Sequence, residues 1–112
     1  IVASLVADKF VDDLRYASAF AREKSSLSGW GVRKISFALT GKGIDRQTIA
    51  EALEDIDTDA AANKLDSVLA AKLRALSSDP QRRVKLLRFA LGRGYGYDEV
   101  KSAVDRLLSE ED

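Results

Sequence analysis

Apolar residues recur along this chain at intervals of three and four, which is the spacing of one buried helix face. The spacing restarts after each polar break and predicts six helices. The first full helix lies in residues 11–24, with Asp12 or Asp13 as its N-cap, and the second covers about 31–41. The turn "GKGID" follows, and Asp45 is expected to cap the third helix.

The same pattern predicts three further helices after the acidic segment "EDIDTDA". The fourth helix has apolar residues at helical spacing from Leu65 to Leu76. The segment "SSDP" ends it, and we expect Asp79 to cap the fifth helix, with Pro80 at the first helical position, where a missing N–H group costs nothing. The sixth helix carries the last apolar stripe of the chain.

The chain repeats itself at an interval of about fifty residues. The segment "FALTGKGIDRQTIAEAL" at 37–53 is echoed by "FALGRGYGYDEVKSAV" at 89–104. The sixth helix matches the third at an offset of 51 residues, and Gly43 and Gly94 then lie just past a helix end, where glycine accepts a positive φ. The fifth helix matches the second at an offset of 52, with one residue dropped at the turn, which pairs Val84, Leu87 and Leu91 with Val32, Ile35 and Leu39.

These matches divide the chain into units of three helices. Residues 1–10 have the pattern of the tail of a truncated first repeat, residues 11–57 form the second repeat, and residues 58–112 form the third. A unit of this size buries little apolar surface alone, so neighbouring units must stack to complete the core. The predicted fold is therefore all-α, with tandem three-helix repeats stacked into an elongated, curved body.

Composition argues against catalysis. The chain has no cysteine and no histidine, which excludes disulfides, thiol nucleophiles, Cys/His zinc sites and imidazole chemistry. The acid pairs Asp12–Asp13 and Glu51–Asp55 lie in polar contexts that suit capping and solvation better than acid–base work. The loops "GWG" and "GRGYG" follow no predicted strand and lack the Lys-Ser/Thr of a phosphate-binding loop. We therefore predict no catalytic residue, no metal site, no cofactor and no membrane-spanning segment.

The formal net charge of zero hides an alternation along the chain. Residues 25–42 hold three basic residues and no acidic one, and residues 79–93 hold five basic residues and one acidic one. The segments that follow them, 43–59 and 94–112, each hold six acidic residues. Opposite charges on neighbouring helices can pair within the chain, or the basic second helices can align as a stripe that binds an acidic partner. The candidate binding residues are Trp30, Arg33, Lys34, Lys42, Arg82, Arg83, Lys85, Arg88 and Arg93.

The aromatic residues near the basic helices have two possible roles. Trp30 and Phe37 lie seven residues apart, on the side of the second helix opposite its apolar stripe. Packing against an adjacent helix is the expected role, and contact with a partner is the alternative. Because the offset of 52 places another phenylalanine opposite Phe37, we expect Phe37 to be structural and Trp30 to be the freer residue. Tyr95 and Tyr97 are expected to clamp the second turn rather than to stack on a base.

An ordered set of motifs runs through the first half of the chain. It consists of an acidic pair, an Arg-aromatic-Ala step, a G-x-G break, a basic-apolar helix that ends in Leu, and K-G-Ile. The residues that carry it are Asp12, Asp13, Arg15, Tyr16, Ala17, Gly29, Gly31, Arg33, Ile35, Leu39, Lys42, Gly43 and Ile44. This set resembles the second repeat of the RecX family of recombination regulators, and "KLLRFALGRGYGYDEVKSAV" is similar to the last repeat of that family.

The resemblance implies tandem three-helix repeats in a bacterial cytoplasmic protein that binds RecA. Members of the family are understood to lodge in the groove of the RecA–DNA filament and to lower its ATP hydrolysis, strand exchange and coprotease activities. This connects the chain, as a monomer, with homologous recombination, DNA repair and the SOS response, and DNA would be contacted through the filament or directly. A sequence-nonspecific nucleic-acid-binding module is the alternative function, and a generic helical scaffold is a third.

Overall fold

The computed structural model describes the backbone of residues 2–111 and the side chains of residues 11–110. Its six α-helices are α1 Val2–Glu23, α2 Val32–Gly41, α3 Arg46–Leu53, α4 Thr58–Ala75, α5 Arg82–Gly92 and α6 Tyr97–Glu111. A π-helical segment, Lys24–Ser28, continues α1 directly. Residues 2–111 contain no β-strand, which confirms the predicted all-α class. None of the helices in this range has the length and apolar content needed to cross a membrane.

The body is long and narrow because it has two apolar cores. Its radius of gyration is 17.0 Å and its extents are 64 × 22 × 20 Å, whereas a compact chain of this length would have a radius of gyration of about 13 Å. The first core, between α1, α2 and α3, contains Ala17, Ala21, Ile35, Leu39, Ile44, Ile49 and Ala52. The second, between α4, α5 and α6, contains Leu65, Leu69, Leu73, Leu86, Ala90, Tyr95, Val100, Ala103 and Val104. The predicted three-helix repeats are confirmed, but each repeat buries a core of its own, so the expectation that stacked neighbours complete the core is wrong.

The turns set the second and third helices of the two repeats in register at an offset of 51 residues. In the α2–α3 turn, the N–H of Gly43 donates to the carbonyl of Thr40 (3.0 Å), and the N–H of Ile44 donates to the carbonyl of Leu39 (3.2 Å). Gly94 and the residue after it make the same two bonds in the α5–α6 turn, at 3.0 and 3.5 Å. No residue is dropped between the two turns.

The predicted offset of 52 for the fifth helix is therefore wrong. α5 buries Leu86 and Ala90, each 51 residues after a buried residue of α2. Two residues of the predicted stripe, Val84 and Leu91, are 45% and 36% exposed. Apolar residues occupy two overlapping faces of α5, and helical spacing alone does not distinguish the buried face from the other.

One of the predicted helix caps is confirmed, and another is wrong. The carboxylate of Asp45 accepts a hydrogen bond from the N–H of Thr48 (2.8 Å) and caps α3 as predicted. The backbone of α1 passes through Asp12 and Asp13 without a break, so neither residue is an N-cap. The expected boundary after residues 1–10 lies inside this helix, and the assignment of those residues to an earlier repeat stays a prediction.

The fifth helix begins two residues later than expected. α5 starts at Arg82, whereas Pro80 was expected at its first position. The carboxylate of Asp79 accepts a hydrogen bond from the N–H of Gln81 (2.8 Å), two residues on. Aspartate commonly stabilises a turn through this local bond, so Asp79 holds the turn that precedes the helix.

Main-chain hydrogen bonds join the two repeats. The N–H of Gly31, the N-cap of α2, donates to the carbonyl of Arg93 (2.8 Å), and the N–H of Arg33 donates to the carbonyl of Gly94 (3.1 Å). First-turn N–H groups have no partner within their own helix, and a glycine N-cap has no side chain to supply one. The two carbonyls just past α5 therefore accept hydrogen bonds from N–H groups at the start of α2 that would otherwise have no partner. We call Gly31, Arg33, Arg93 and Gly94 the joint.

Both glycines of the joint are required because the two chain segments lie so close together. A Cβ on Gly31 would lie 2.2 Å from the nitrogen of Tyr95, although the φ of −82° at Gly31 suits any residue. A Cβ on Gly94 would lie 2.4 Å from the nitrogen of Lys34, and its φ of 94° adds backbone strain. Gly43 is the equivalent of Gly94 in the other repeat, and it has a φ of 85° but open space around it.

Alanine substitutions at Gly94 and Gly43 separate close packing at the joint from backbone strain. Gly43→Ala should cost only the left-handed strain, about 1–2 kcal/mol. Gly94→Ala has the same strain plus the clash, and overpacking adds about 1–3 kcal/mol. We expect urea denaturation to give a lower free energy of unfolding for Gly94→Ala than for Gly43→Ala. Equal losses would contradict the close approach of the two chain segments at Gly94.

Candidate interaction surface

The joint connects the C-terminal end of α5 to the N-terminal end of α2. We call these two helices, residues 82–92 and 32–41, the α5–α2 row. Neither helix contains an acidic residue, and each is about 15 Å long at the helical rise per residue. The nine candidate binding residues lie on this row or in the turns that adjoin it.

Two of the candidate cations are paired within the chain. Arg83 forms an ion pair with Asp105 of α6, and Lys85 forms one with Asp79 in the turn before α5. Both pairs are exposed, so water screens them and they contribute little to stability. The hydrogen bond from Lys85, together with one from the N–H of Gln81, lowers the pKa of Asp79. Arg83 and Lys85 thus pair with acidic residues of the same chain, which is one of the two possibilities that the charge pattern leaves open.

Trp30 is partly enclosed by its neighbours. Its ring packs edge to face against Phe20, with centroids 6.0 Å apart, and both rings contact the first core. The Nζ atoms of Lys24 and Lys34 lie 4.8 and 4.5 Å from the Trp30 centroid, and Nζ of Lys42 lies 5.8 Å from that of Phe20. Each cation–π contact contributes about 0.5–1 kcal/mol at exposed sites. The expectation that Trp30 is the freer aromatic residue is therefore wrong.

Phe37 is the exposed aromatic residue of the row, with 82% of its surface accessible. The expectation that it packs against a neighbouring helix is wrong. The offset of 51 pairs Phe37 with the exposed Arg88, whereas Phe89 corresponds to Ala38 and packs against the second core. The sequence does contain a signal that Phe37 is exposed: the turn glycines Gly43 and Gly94 are 51 residues apart, and this spacing pairs Phe37 with a polar residue. The offset of 52 hides that pairing.

The two tyrosines of the α5–α6 turn have different environments. Tyr95 is buried in the second core and holds the turn there, as expected. Desolvation by this burial raises the pKa of its phenol. Tyr97 is the first residue of α6 and is exposed, so it does not share the clamping role.

Arg93 has a structural position that the sequence does not predict. Its Nη1 donates to the carbonyls of Ser28 (3.1 Å) and Gly29 (3.3 Å), at the end of the π-helical segment. Its guanidinium carbon lies 5.1 Å from the ring centroid of Phe89. Arg93 therefore ties the α5–α6 turn of one repeat to the α1–α2 loop of the other, through its side chain as well as its carbonyl.

Two candidate arginines remain available to a partner. Arg33 on α2 and Arg88 on α5 are exposed, and their guanidinium groups have no hydrogen-bond or ion-pair partner among the described residues. Arg82 is half-buried at the start of α5. The binding role of these residues stays a prediction, but Arg33 and Arg88 are the cations that a partner can reach without displacing an internal contact.

A surface groove of about 420 Å³ lies between α2 and α3. Ser36 and Thr40, which flank Phe37 along α2, form one side of it. Its apolar lining includes Ile44 and Ile49. Within the described part of the chain, no group of three or more acidic, cysteine or histidine residues could hold a metal ion.

The fold and the surface define a tandem three-helix repeat protein that presents arginines and an aromatic side chain on one pair of helices. The family model described as the RecX second three-helix domain matches residues 12–53, which end with α3. The chain belongs to the RecX family of regulatory proteins. No solved structure gives a significant match to it.

Curated relatives agree with this assignment. The regulatory protein RecX of Clostridium tetani is 29% identical over 112 residues, which cover 96% of this chain and 51% of the relative. That of Clostridium botulinum strain Alaska E43 is 39% identical, covering 91% and 49%. That of Pectobacterium atrosepticum is 35% identical, covering 83% and 57%. The chain thus spans about half the length of the curated relatives it matches, and no enzyme family is evident among these matches.

Replacing Arg93 by lysine tests its position in the joint. Arg93→Lys keeps the positive charge but removes the guanidinium group that reaches two carbonyls, and each such bond contributes about 0.5–1.5 kcal/mol. We expect the free energy of unfolding to fall by about 1–2 kcal/mol, measured by urea denaturation with Trp30 fluorescence. Arg88→Lys is the control and should change it by less than about 0.5 kcal/mol. Equal effects of the two substitutions would contradict the structural role of Arg93.

Proposed function

We propose that this chain is a non-catalytic regulator that binds RecA, alone or in its DNA filament, and inhibits its recombinase, ATPase and coprotease activities. It acts as a monomer in the bacterial cytoplasm. Membership of the RecX family supports a regulatory role in recombination. The observation that carries the proposal is the α5–α2 row, in which two helices without acidic residues meet end to end and expose Arg33 and Arg88.

The shape of the body supports binding along an extended partner. The structure is 64 Å long and about three times longer than it is wide. The row continues from one repeat into the next, so its exposed groups are spread along the body and do not converge on one pocket. A groove that runs along a filament offers carboxylates or phosphates at intervals, and arginine binds either group through paired hydrogen bonds.

Direct binding to nucleic acid is the second candidate function. The exposed, unpaired guanidinium groups of Arg33 and Arg88 favour it, because such groups can neutralise phosphates. Each phosphate contact releases counterions, so the logarithm of affinity for single-stranded DNA should fall with a slope of about −0.7 per contact against the logarithm of salt concentration. A steep slope for the chain without RecA would favour this candidate.

Charge reversal of the two available arginines tests the proposed function. We expect the double variant Arg33→Glu/Arg88→Glu to raise the protein concentration needed for half-inhibition of single-strand-dependent ATP hydrolysis by RecA at least tenfold, since each lost charge-assisted contact costs about 1.5–3 kcal/mol. The free energy of unfolding should change by less than about 1 kcal/mol, because both sites are exposed and unpaired.

The matched control is Lys101→Glu, which reverses an exposed charge on α6, outside the row. It should inhibit like the unchanged protein. Full inhibition by the double variant would refute the role of the row and favour the hypothesis that the chain is a generic helical scaffold. Undiminished hydrolysis with the unchanged full-length protein would refute the regulatory function itself.

A further inference from the structure

Phe37 is the most exposed of the large apolar residues whose side chains are described. It is 82% exposed, above Leu27 at 70%. An isolated exposed apolar residue needs no explanation, but Phe37 lies on the row beside other exposed groups. Arg33 precedes it by four residues, which places both side chains on one face of α2 about one turn apart. Val32 in the same turn is also exposed.

The other repeat presents the same two kinds of residue at the equivalent outer positions. Arg88 of α5 corresponds to Phe37, and Val84 corresponds to Arg33, at the offset of 51. All four side chains are exposed. Each repeat therefore offers one arginine and one apolar residue at this pair of positions, with their order reversed. The surface of the row is mixed in chemistry.

A mixed surface fits protein better than nucleic acid. Phosphates attract cations and gain nothing from a valine or an isolated phenyl ring. Proteins that stack bases present aromatic side chains in succession, but the equivalent of Phe37 in the next repeat is an arginine. Aromatic residues and arginines are the residues that dominate binding at protein interfaces, where an aromatic side chain fills a pocket and neighbouring polar groups form the rim.

We propose that Phe37 is the anchor by which this chain docks on the RecA protein itself, in an apolar pocket whose rim supplies a carboxylate to Arg33. The inference rests on the proposed function and specifies its partner as protein rather than the DNA of the filament. The absence of acidic residues from α2 and α5 gives the row a charge complementary to such a rim.

The variant Phe37→Ala tests this anchor, with Leu27→Ala as its control. Both substitutions truncate an exposed apolar side chain, and Leu27 lies on the π-helical segment and not on either helix of the row. Three quantities are measured for each full-length protein: binding to RecA filaments on single-stranded DNA, inhibition of their ATP hydrolysis, and binding to the same DNA without RecA. Far-UV circular dichroism and a urea titration confirm that each variant is folded.

We expect Phe37→Ala to weaken filament binding and inhibition at least tenfold while its binding to DNA alone stays unchanged, and Leu27→Ala to match the unchanged protein. Unaltered filament binding by Phe37→Ala would overturn the anchor but leave the proposed function intact. A parallel loss of binding to DNA alone would assign Phe37 to DNA and also overturn the anchor. If the unchanged protein neither binds nor inhibits the filament, the proposed function fails and the anchor fails with it.

Discussion

Two main-chain hydrogen bonds, from Gly31 to Arg93 and from Arg33 to Gly94, connect the end of α5 in one repeat to the start of α2 in the other. Each repeat has a complete core of its own, so the cores do not dictate where the next unit lies. The joint contributes to that placement, because it sets carbonyl groups at the end of one helix against the N–H groups at the start of the other, and the π-helical segment also packs against α4. Only glycine leaves room for this approach on both sides. The continuity of the α5–α2 row follows from it.

The joint also makes the charge of α2 tolerable. Arg33 and Lys34 lie in the first turn of that helix, where the positive end of the helix dipole normally disfavours cations. Here the end of α5 brings carbonyl oxygens to the same place, and their negative partial charge offsets that of the N–H groups. Lys34 gains a further contact with the ring of Trp30. A basic helix start, unfavourable in an isolated helix, is compatible with this arrangement.

The sequence predicts the elements of the fold better than it predicts the register of the surface. Helical spacing, the cap at Asp45 and the echoed glycine turns are local features, and the structure confirms them. The buried face of α5 is not a local feature, because Leu86 and Leu87 are both apolar and only contact with α4 and α6 decides between their faces. An offset of 52 in place of 51 pairs Phe37 with Phe89, and this pairing makes Phe37 look structural and Trp30 look free, the reverse of what the structure shows. The joint itself depends on residues about 60 apart in the chain, and helical spacing carries no information on such a contact.

The repeats are alike where they pack and different where they face outward. In the second and third helices and the turn between them, the buried apolar positions and the turn glycine recur at an offset of 51, whereas the position of Phe37 holds an arginine in the other repeat. The joint can form at the start of α2 but not at the start of α5. At the offset of 51, Pro80 and Arg82 occupy the places of Gly29 and Gly31. Proline cannot adopt the positive φ of Gly29, and an arginine Cβ has no room at the place of Gly31. The start of α5 therefore cannot receive the contact that the start of α2 receives. The residues that recur form the packed helices of each repeat. The residues that differ make the start of α2 unlike the start of α5, and they give the exposed face of each repeat different side chains.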